Sequence, residues 1–313
     1  MRKIFALFVA VVLFLGYNYS KASKKLTYSF YHWTSSYKVD SNESNPPRYI
    51  KVLDISFTKT LLFRKTSFKT LPPKNSTAVI YIDNPLWLKM RAKTMINRVL
   101  KEMPLKTYRE IQVDCDWTER TRASYFKFLK LLKEKSGKKI SATIRLHQVK
   151  YYKKTGIPPV DYGVLMYYNM SDFKEIDTKN YILDLDIAKQ YYYNFDSYPL
   201  DLNLALPLYS QATIIRFSKV VGLMDGVREE ELGSNFKKLK EHLYLVEKTH
   251  YFKERLFYEG DRVRVDEVSM QMLKKSIDSL KAVMQKPKEV IFYRWGNRKH
   301  YERKQLESVV GSW

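Results

Sequence analysis

The 313-residue sequence predicts an α/β fold of the (β/α)8, TIM-barrel-like class. Two observations carry this expectation. Eight short runs rich in Val, Ile, Leu, Tyr and Phe have strand length, and stretches of helical spacing separate several of them. Polar and aromatic side chains recur at the C-terminal ends of these runs, where such barrels carry their working groups. The chain is 45% hydrophobic and 15% aromatic, which excludes a disordered protein.

The first three strands are expected over residues 28–33, 49–57 and 78–83, the third stopped by Asn84-Pro85. Residues 86–103 have helical spacing, with Met90, Ile96 and Leu100 among Lys and Arg. A fourth strand begins at Glu110. Thr118 then stands where it can cap a helix whose apolar positions are Tyr125, Phe128, Leu129 and Leu132, and which ends at Ser136-Gly137. The fifth strand is 139–147 and the sixth 163–170. A helix follows over 181–193, and a seventh strand over 200–206 is halted by Pro207. The long segment before the eighth strand (289–296) reads as an amphipathic helix over 236–248, a hairpin-like stretch over 260–265 and a helix over 267–284. A short loop joins strands one and two, and residues 58–77 have no helical period. Parallel crossovers need more chain than this, so the first crossover helices are expected to be reduced or irregular.

The N-terminus reads as an address. Met1-Arg2-Lys3 is basic, and residues 4–16 are apolar but short for a bilayer. Ser20 and Ala22 are small residues at the positions a signal peptidase reads. Residues 1–22 are therefore expected to be a signal peptide and 23–313 a single barrel domain, exported to the periplasm, cell surface or medium. An uncleaved anchor is the alternative, and the only expected route to a membrane. Tyr17 stands where lipoprotein anchoring would need a cysteine. The formal net charge of +23 attracts nucleic acid, anionic lipid or acidic polysaccharide, and export turns the expectation away from nucleic acid. The single cysteine, Cys115, allows no internal disulfide and reads as a packing residue.

The chain is organised around residues 110–119. Alternate strand residues share a face, so Asp114, Asp116 and Thr118 point one way and Val113, Cys115 and Trp117 the other. Two carboxylates near the end of an apolar strand are costly to bury unless they are hydrogen-bonded, bind a ligand or share a proton. Capping of the next helix is the competing reading. The other strand ends offer His32, Trp33, Asp54, Asp83, Tyr168, Asn169, Tyr209, Gln211, Arg294, Trp295 and Asn297. Arg145 and His147 share a parity, and can hold an anionic group or the Asp pair itself. No metal-ligand spacing, Gly-rich phosphate loop or nucleophile-elbow serine is present, so neither metal nor cofactor is expected. The Lys150-Tyr151-Tyr152-Lys153-Lys154 run is a solvated loop or a polyanion contact.

Val113-Asp114-Cys115-Asp116-Trp117-Thr118 resembles the end of the fourth-strand Asp-Gly-x-Asp-x-Asp-x-Glu motif of family 18 glycoside hydrolases, the chitinase-like barrels. Asp114 and Asp116 match its second and third Asp. Met166-Tyr167-Tyr168-Asn169 resembles the sixth-strand Met-x-Tyr-Asp/Asn motif, and Trp295 is expected at the place of the Trp floor beneath the sugar. The stretch 112–118, with Ala142 to Gln148 and Pro158-Pro159-Val160-Asp161, is also similar to a group of uncharacterised secreted bacterial proteins. The resemblance breaks at Thr118, where the family keeps its general-acid Glu, and at Ile111 and Gln112, where it keeps Asp and Gly. A bulge is needed to turn the adjacent Glu119 inward. The resemblance implies an exported glycoside-hydrolase-like barrel that acts on or binds a polysaccharide or oligosaccharide. Asp114, Asp116 and Glu119 are its candidate catalytic groups. Trp33, Arg145, His147, Tyr168, Asn169, Trp295 and Asn297 are its candidate substrate contacts. A catalytically inactive glycan- or cell-surface-binding barrel, and a salt-sensitive polyanion-binding surface protein, are the alternatives.

Overall fold

The structure is a computed structural model that describes residues 26–40, 42–103 and 107–313. The expected signal peptide lies outside the described residues. Eight strands form the barrel wall: β1 Thr27–His32, β2 Tyr49–Phe57, β3 Thr77–Ile82 and β4 Glu110–Asp114, then β5 Lys139–Arg145, β6 Tyr162–Met166, β7 Leu202–Pro207 and β8 Glu289–Tyr293. Each pairs in parallel with its neighbours, and β1 pairs with both β8 and β2, so the barrel is closed. One face of each run is apolar and covered by helices or connecting chain, and the other faces the barrel interior.

The helices are α1 Ala92–Glu102, α2 Arg122–Ser136, α3 Leu146–Lys150, α4 Tyr152–Thr155, α5 Leu185–Lys189, α6 Met270–Lys281 and α7 Arg303–Gly311. In α2 the four residues given by the spacing, Tyr125, Phe128, Leu129 and Leu132, are the buried ones. Gly137 ends the helix in the left-handed conformation at φ 61°. The N-cap is Thr121, not Thr118. Thr118 instead accepts from the backbone amides of Thr121 and Arg122. The expected 86–103 helix is split, with a 3-10 turn at Asn84–Leu88 before α1. As expected, no helix joins β1 to β2 or β2 to β3 among the described residues. A strand at Leu61–Lys65 runs back antiparallel along β2 instead.

Two expectations fail in the connections. The 181–193 helix contracts to α5, because the Asn180 side chain accepts from the amides of Ile182 and Leu183 and holds the preceding chain in a turn. The 236–248 helix is two antiparallel strands, Phe236–Lys240 and Leu243–Val246. The spacing of Phe236, Leu239, Leu243 and Val246 imitates a helix, but pairing with Arg262–Asp266 takes precedence. The 260–265 stretch is not a hairpin of its own. Gly260 turns at φ 85° into Arg262–Asp266, the central strand of a five-stranded antiparallel sheet inserted between β7 and β8. That sheet has its own core around Ile214, Phe236, Val263 and Val265.

The barrel interior is polar. Tyr31 on β1 donates to Gln112 on β4 at 2.7 Å, and these strands face each other across the barrel. Glu110 accepts from Ser141 at 3.0 Å and from Tyr162, while Glu289 accepts from Tyr49 and Arg48, both at 2.9 Å. Burial raises the Glu110 carboxyl above its ordinary range. The hydrogen bonds make this buried polar face tolerable. On the same side of β4 the next residue up is Asp114, at the C-terminal mouth.

Candidate functional site

At that mouth lies a cleft of about 370 Å³. One wall is built by the strand ends: Asp114 at the end of β4 and Asp116 just beyond it, Arg145 at the end of β5, Tyr168 and Asn169 after β6, and Tyr293 at the end of β8 with Arg294 following. Trp33 and Tyr81 complete it. The facing wall comes from the inserted sheet, through Gln211, Leu223 and Asp225, and from Phe173 and Tyr181 in the β6–β7 connection.

β4 ends at Asp114, where the chain leaves regular extension. The alternation still places both carboxylates in the cleft and buries Cys115 and Trp117 behind them. Trp87 donates to the Cys115 sulfur at 3.3 Å, and Trp117 stacks on Tyr125, so this side is core as expected of the lone cysteine. Asp114 accepts from Thr143 at 2.7 Å. Burial, and then the neighbouring Asp116 charge, push its carboxyl up to about 6. Asp116 reaches solvent, with 63% of its side chain exposed, and makes a loose ion pair with Arg145 at 3.7 Å. Arg145 also donates to the Asn169 carbonyl at 3.3 Å, which ties the ends of β5 and β6 together.

The cleft has an aromatic base. Tyr168 and Tyr293 stack at 5.2 Å and 20°, with Tyr209 edge-on to Tyr293 at 5.6 Å. Trp33 meets Tyr293 edge-on at 5.9 Å. Tyr209 donates to the Asn169 side chain, whose backbone is left-handed at φ 55°. Across the cleft, Gln211 donates to Asp225 at 2.6 Å and Arg294 pairs with the same carboxylate at 3.3 Å. Carboxylates and amides over flat rings can hydrogen-bond hydroxyls while a ring face excludes water from the apolar side of a pyranose.

Of the residues named in the sequence as candidate catalytic groups or substrate contacts, Asp114, Asp116, Trp33, Arg145, Tyr168 and Asn169 meet in the cleft. Of the other strand-end residues, Tyr209, Gln211 and Arg294 also line it, and His32, Asp54 and Asp83 do not. Four of the candidates lie outside it. Glu119 lies exposed in the turn before α2, outside the cleft lining; the strand ends before reaching it, so no bulge turns it inward. His147 is exposed on α3, because β5 stops at Arg145 and parity no longer applies. Trp295 is buried, edge-on to Phe30 at 5.1 Å and beneath the Arg298 guanidinium at 3.3 Å; Tyr293 is the aromatic residue of β8 that lines the cleft. Asn297 stands behind the lining and accepts from Arg294 at 3.3 Å. Tyr81, Tyr181, Asp225 and Tyr293 were not singled out. Tyr81 sits beside Asp114 in the β3–β4 register, a signal available once the strands are aligned. Asp225 comes from the insertion and has no local signature.

No protein-family model matches the chain, and no curated protein matches it. Solved structures do match by shape. The spore cortex-lytic enzyme SleL of Bacillus cereus superposes with a TM-score of 0.51 and 15% identity, over 85% of this chain and 67% of that one. The fold is a chitinase-like TIM barrel. The Group IV chitinase of Ostrinia furnacalis superposes with a TM-score of 0.50 and 11% identity, over 92% of this chain and 99% of that one. At such identities the likeness is one of fold, and the chemistry has to be argued from the cleft.

Proposed function

We propose that this chain is an exported protein whose barrel cleft binds a polysaccharide or oligosaccharide. The observation that carries this reading is the convergence of Asp114, Asp116, Arg145 and Asn169 over the stacked Tyr168–Tyr293 pair at the C-terminal mouth. Asp116 and Asn169 offer acceptors to hydroxyl or amide hydrogens, and the half-buried rings of Tyr293 and Trp33, backed by buried Tyr168, offer the apolar surface. Binding is favoured over turnover because Thr118 stands where the family's acid would be, and its hydroxyl cannot protonate a leaving oxygen. Glu119 is not assigned that proton, since it lies outside the cleft.

One observation favours a hydrolytic second reading. Asp114 lines the cleft beside Asp116 with its carboxyl pushed up to about 6, so it holds a proton in mild acid. Turnover by this route would fall as pH rises through about 6, where the acid loses its proton.

A glycan array probed with the mature protein, then with Asp116→Asn and Tyr293→Ala, tests the reading. Loss of one charged acceptor costs about 1.5–3 kcal/mol, roughly tenfold to a hundredfold in affinity. Both variants are expected to lose the wild-type signal. Binding that survives both and vanishes in high salt would point to a polyanion surface instead.

A further inference from the structure

We propose that the groove between the Leu61–Lys65 strand and α1 is a second binding site, which takes an anionic polysaccharide strand. It shares no residue with the cleft and does not depend on the cleft's ligand. Both of its walls descend from the barrel's C-terminal rim. Leu61 pairs with Phe57 at the top of β2 and Lys65 with Leu53 lower down. At the far end of α1, Glu102 reaches Lys65 at 2.7 Å. The space between the walls is about 670 Å³.

Helix α1 presents two stripes at i, i+4 and i+8: Lys93, Asn97 and Lys101, and beside them Thr94, Arg98 and Glu102. Three cations thus line the groove against one carboxylate, and Lys65 already engages that carboxylate. Among the described residues Lys93, Arg98 and Lys101 make no ion pair within 4.0 Å. Like charges on neighbouring turns repel, and an anion laid along them relieves the repulsion. The opposite wall is apolar: Leu61 and Phe63 face the groove, with the Arg98 guanidinium 5.6 Å from the Phe63 ring. A flat ring beside a row of separated cations suits a chain of sugar rings that carries carboxylate or phosphate at intervals. The two walls run alongside each other, so an extended polymer chain can lie lengthwise between them.

Affinity electrophoresis of the full chain through sodium polygalacturonate tests the proposal, with neutral dextran and single-stranded oligothymidylate as comparisons. One variant carries Lys93→Gln, Arg98→Gln and Lys101→Gln. A control removes the same charge elsewhere, through Lys189→Gln, Lys275→Gln and Lys304→Gln, which are exposed outside the groove. Circular dichroism checks that both variants fold. Wild type is expected to be retarded by polygalacturonate and not by dextran. The groove variant is expected to lose roughly tenfold in affinity with a shallower salt dependence, the control much less. Phe63→Ala is expected to weaken binding without changing the salt slope. Equal loss in both triple variants, tighter binding of oligothymidylate, or no retardation of wild type would overturn the proposal. Asp116→Asn is expected to leave the retardation intact, which separates a failure here from a failure of the cleft reading.

Discussion

The two carboxylates of the Asp pair are unlike in setting although two residues apart. Asp114 is held inside by Thr143, while Asp116 reaches solvent beside Arg145. A carboxyl raised by burial contributes stability that is complete below its ordinary value and is lost as pH rises through its folded value, here about 6. Asp114→Asn keeps an acceptor for Thr143 and removes the charge. The variant should therefore gain on wild type by on the order of 2 kcal/mol between about pH 4 and pH 7. Denaturant unfolding at the two pH values measures this; a difference that does not change with pH would show that Asp114 ionises freely. The Asp pair was legible in the sequence because side-chain alternation outlasts the strand by two residues. His147 was misplaced because Gln148 caps the Arg145 amide at 2.8 Å and turns the chain into α3 where the parity count assumed extension. Asp225 could not be read at all, since only tertiary pairing brings the insertion over the mouth.

Among the elements, β6 leaves no room for a side chain at Gly163. A β-carbon at Gly163 would stand 2.6 Å from the Ile144 side chain and 2.7 Å from that of Leu202, on the strands to either side. Gly163→Ala should destabilise the barrel by about 1–3 kcal/mol, read as a lowered denaturation midpoint. An unchanged midpoint would mean that β5 and β7 can part there without cost. The barrel strands were legible because each is apolar enough to be buried on both faces. The insertion was not, because the lysine-rich Phe236–Lys240 strand has one buried residue, and its hairpin partner Leu243–Val246 pairs in turn with Arg262–Asp266 further along the chain. Helical spacing over 236–248 was a true pattern in the residues, overridden by pairing.

On the scale of the whole molecule, the inserted sheet is pinned to the barrel beside the cleft. Arg264 and Asp266 form a buried ion pair at 2.8 Å; Arg264 also donates to the carbonyls of Glu175 and Phe173, and Asp266 accepts from the Tyr181 amide. Phe173 and Tyr181 line the cleft, so this pair holds part of its second wall. Asp266→Ala leaves the Arg264 charge buried and alone, and should cost about 3–5 kcal/mol in stability. Glycan affinity should fall with it; calorimetry that finds stability lost but affinity unchanged would remove the second wall from the binding site. The polysaccharide reading itself is tested most directly by soaking crystals of the protein with the oligosaccharide that scores highest on the array. The expected difference density lies over Tyr293 and within hydrogen-bond reach of Asp116. Density confined to the α1 groove or to the exposed outer surface, with the mouth of the barrel empty, would contradict it.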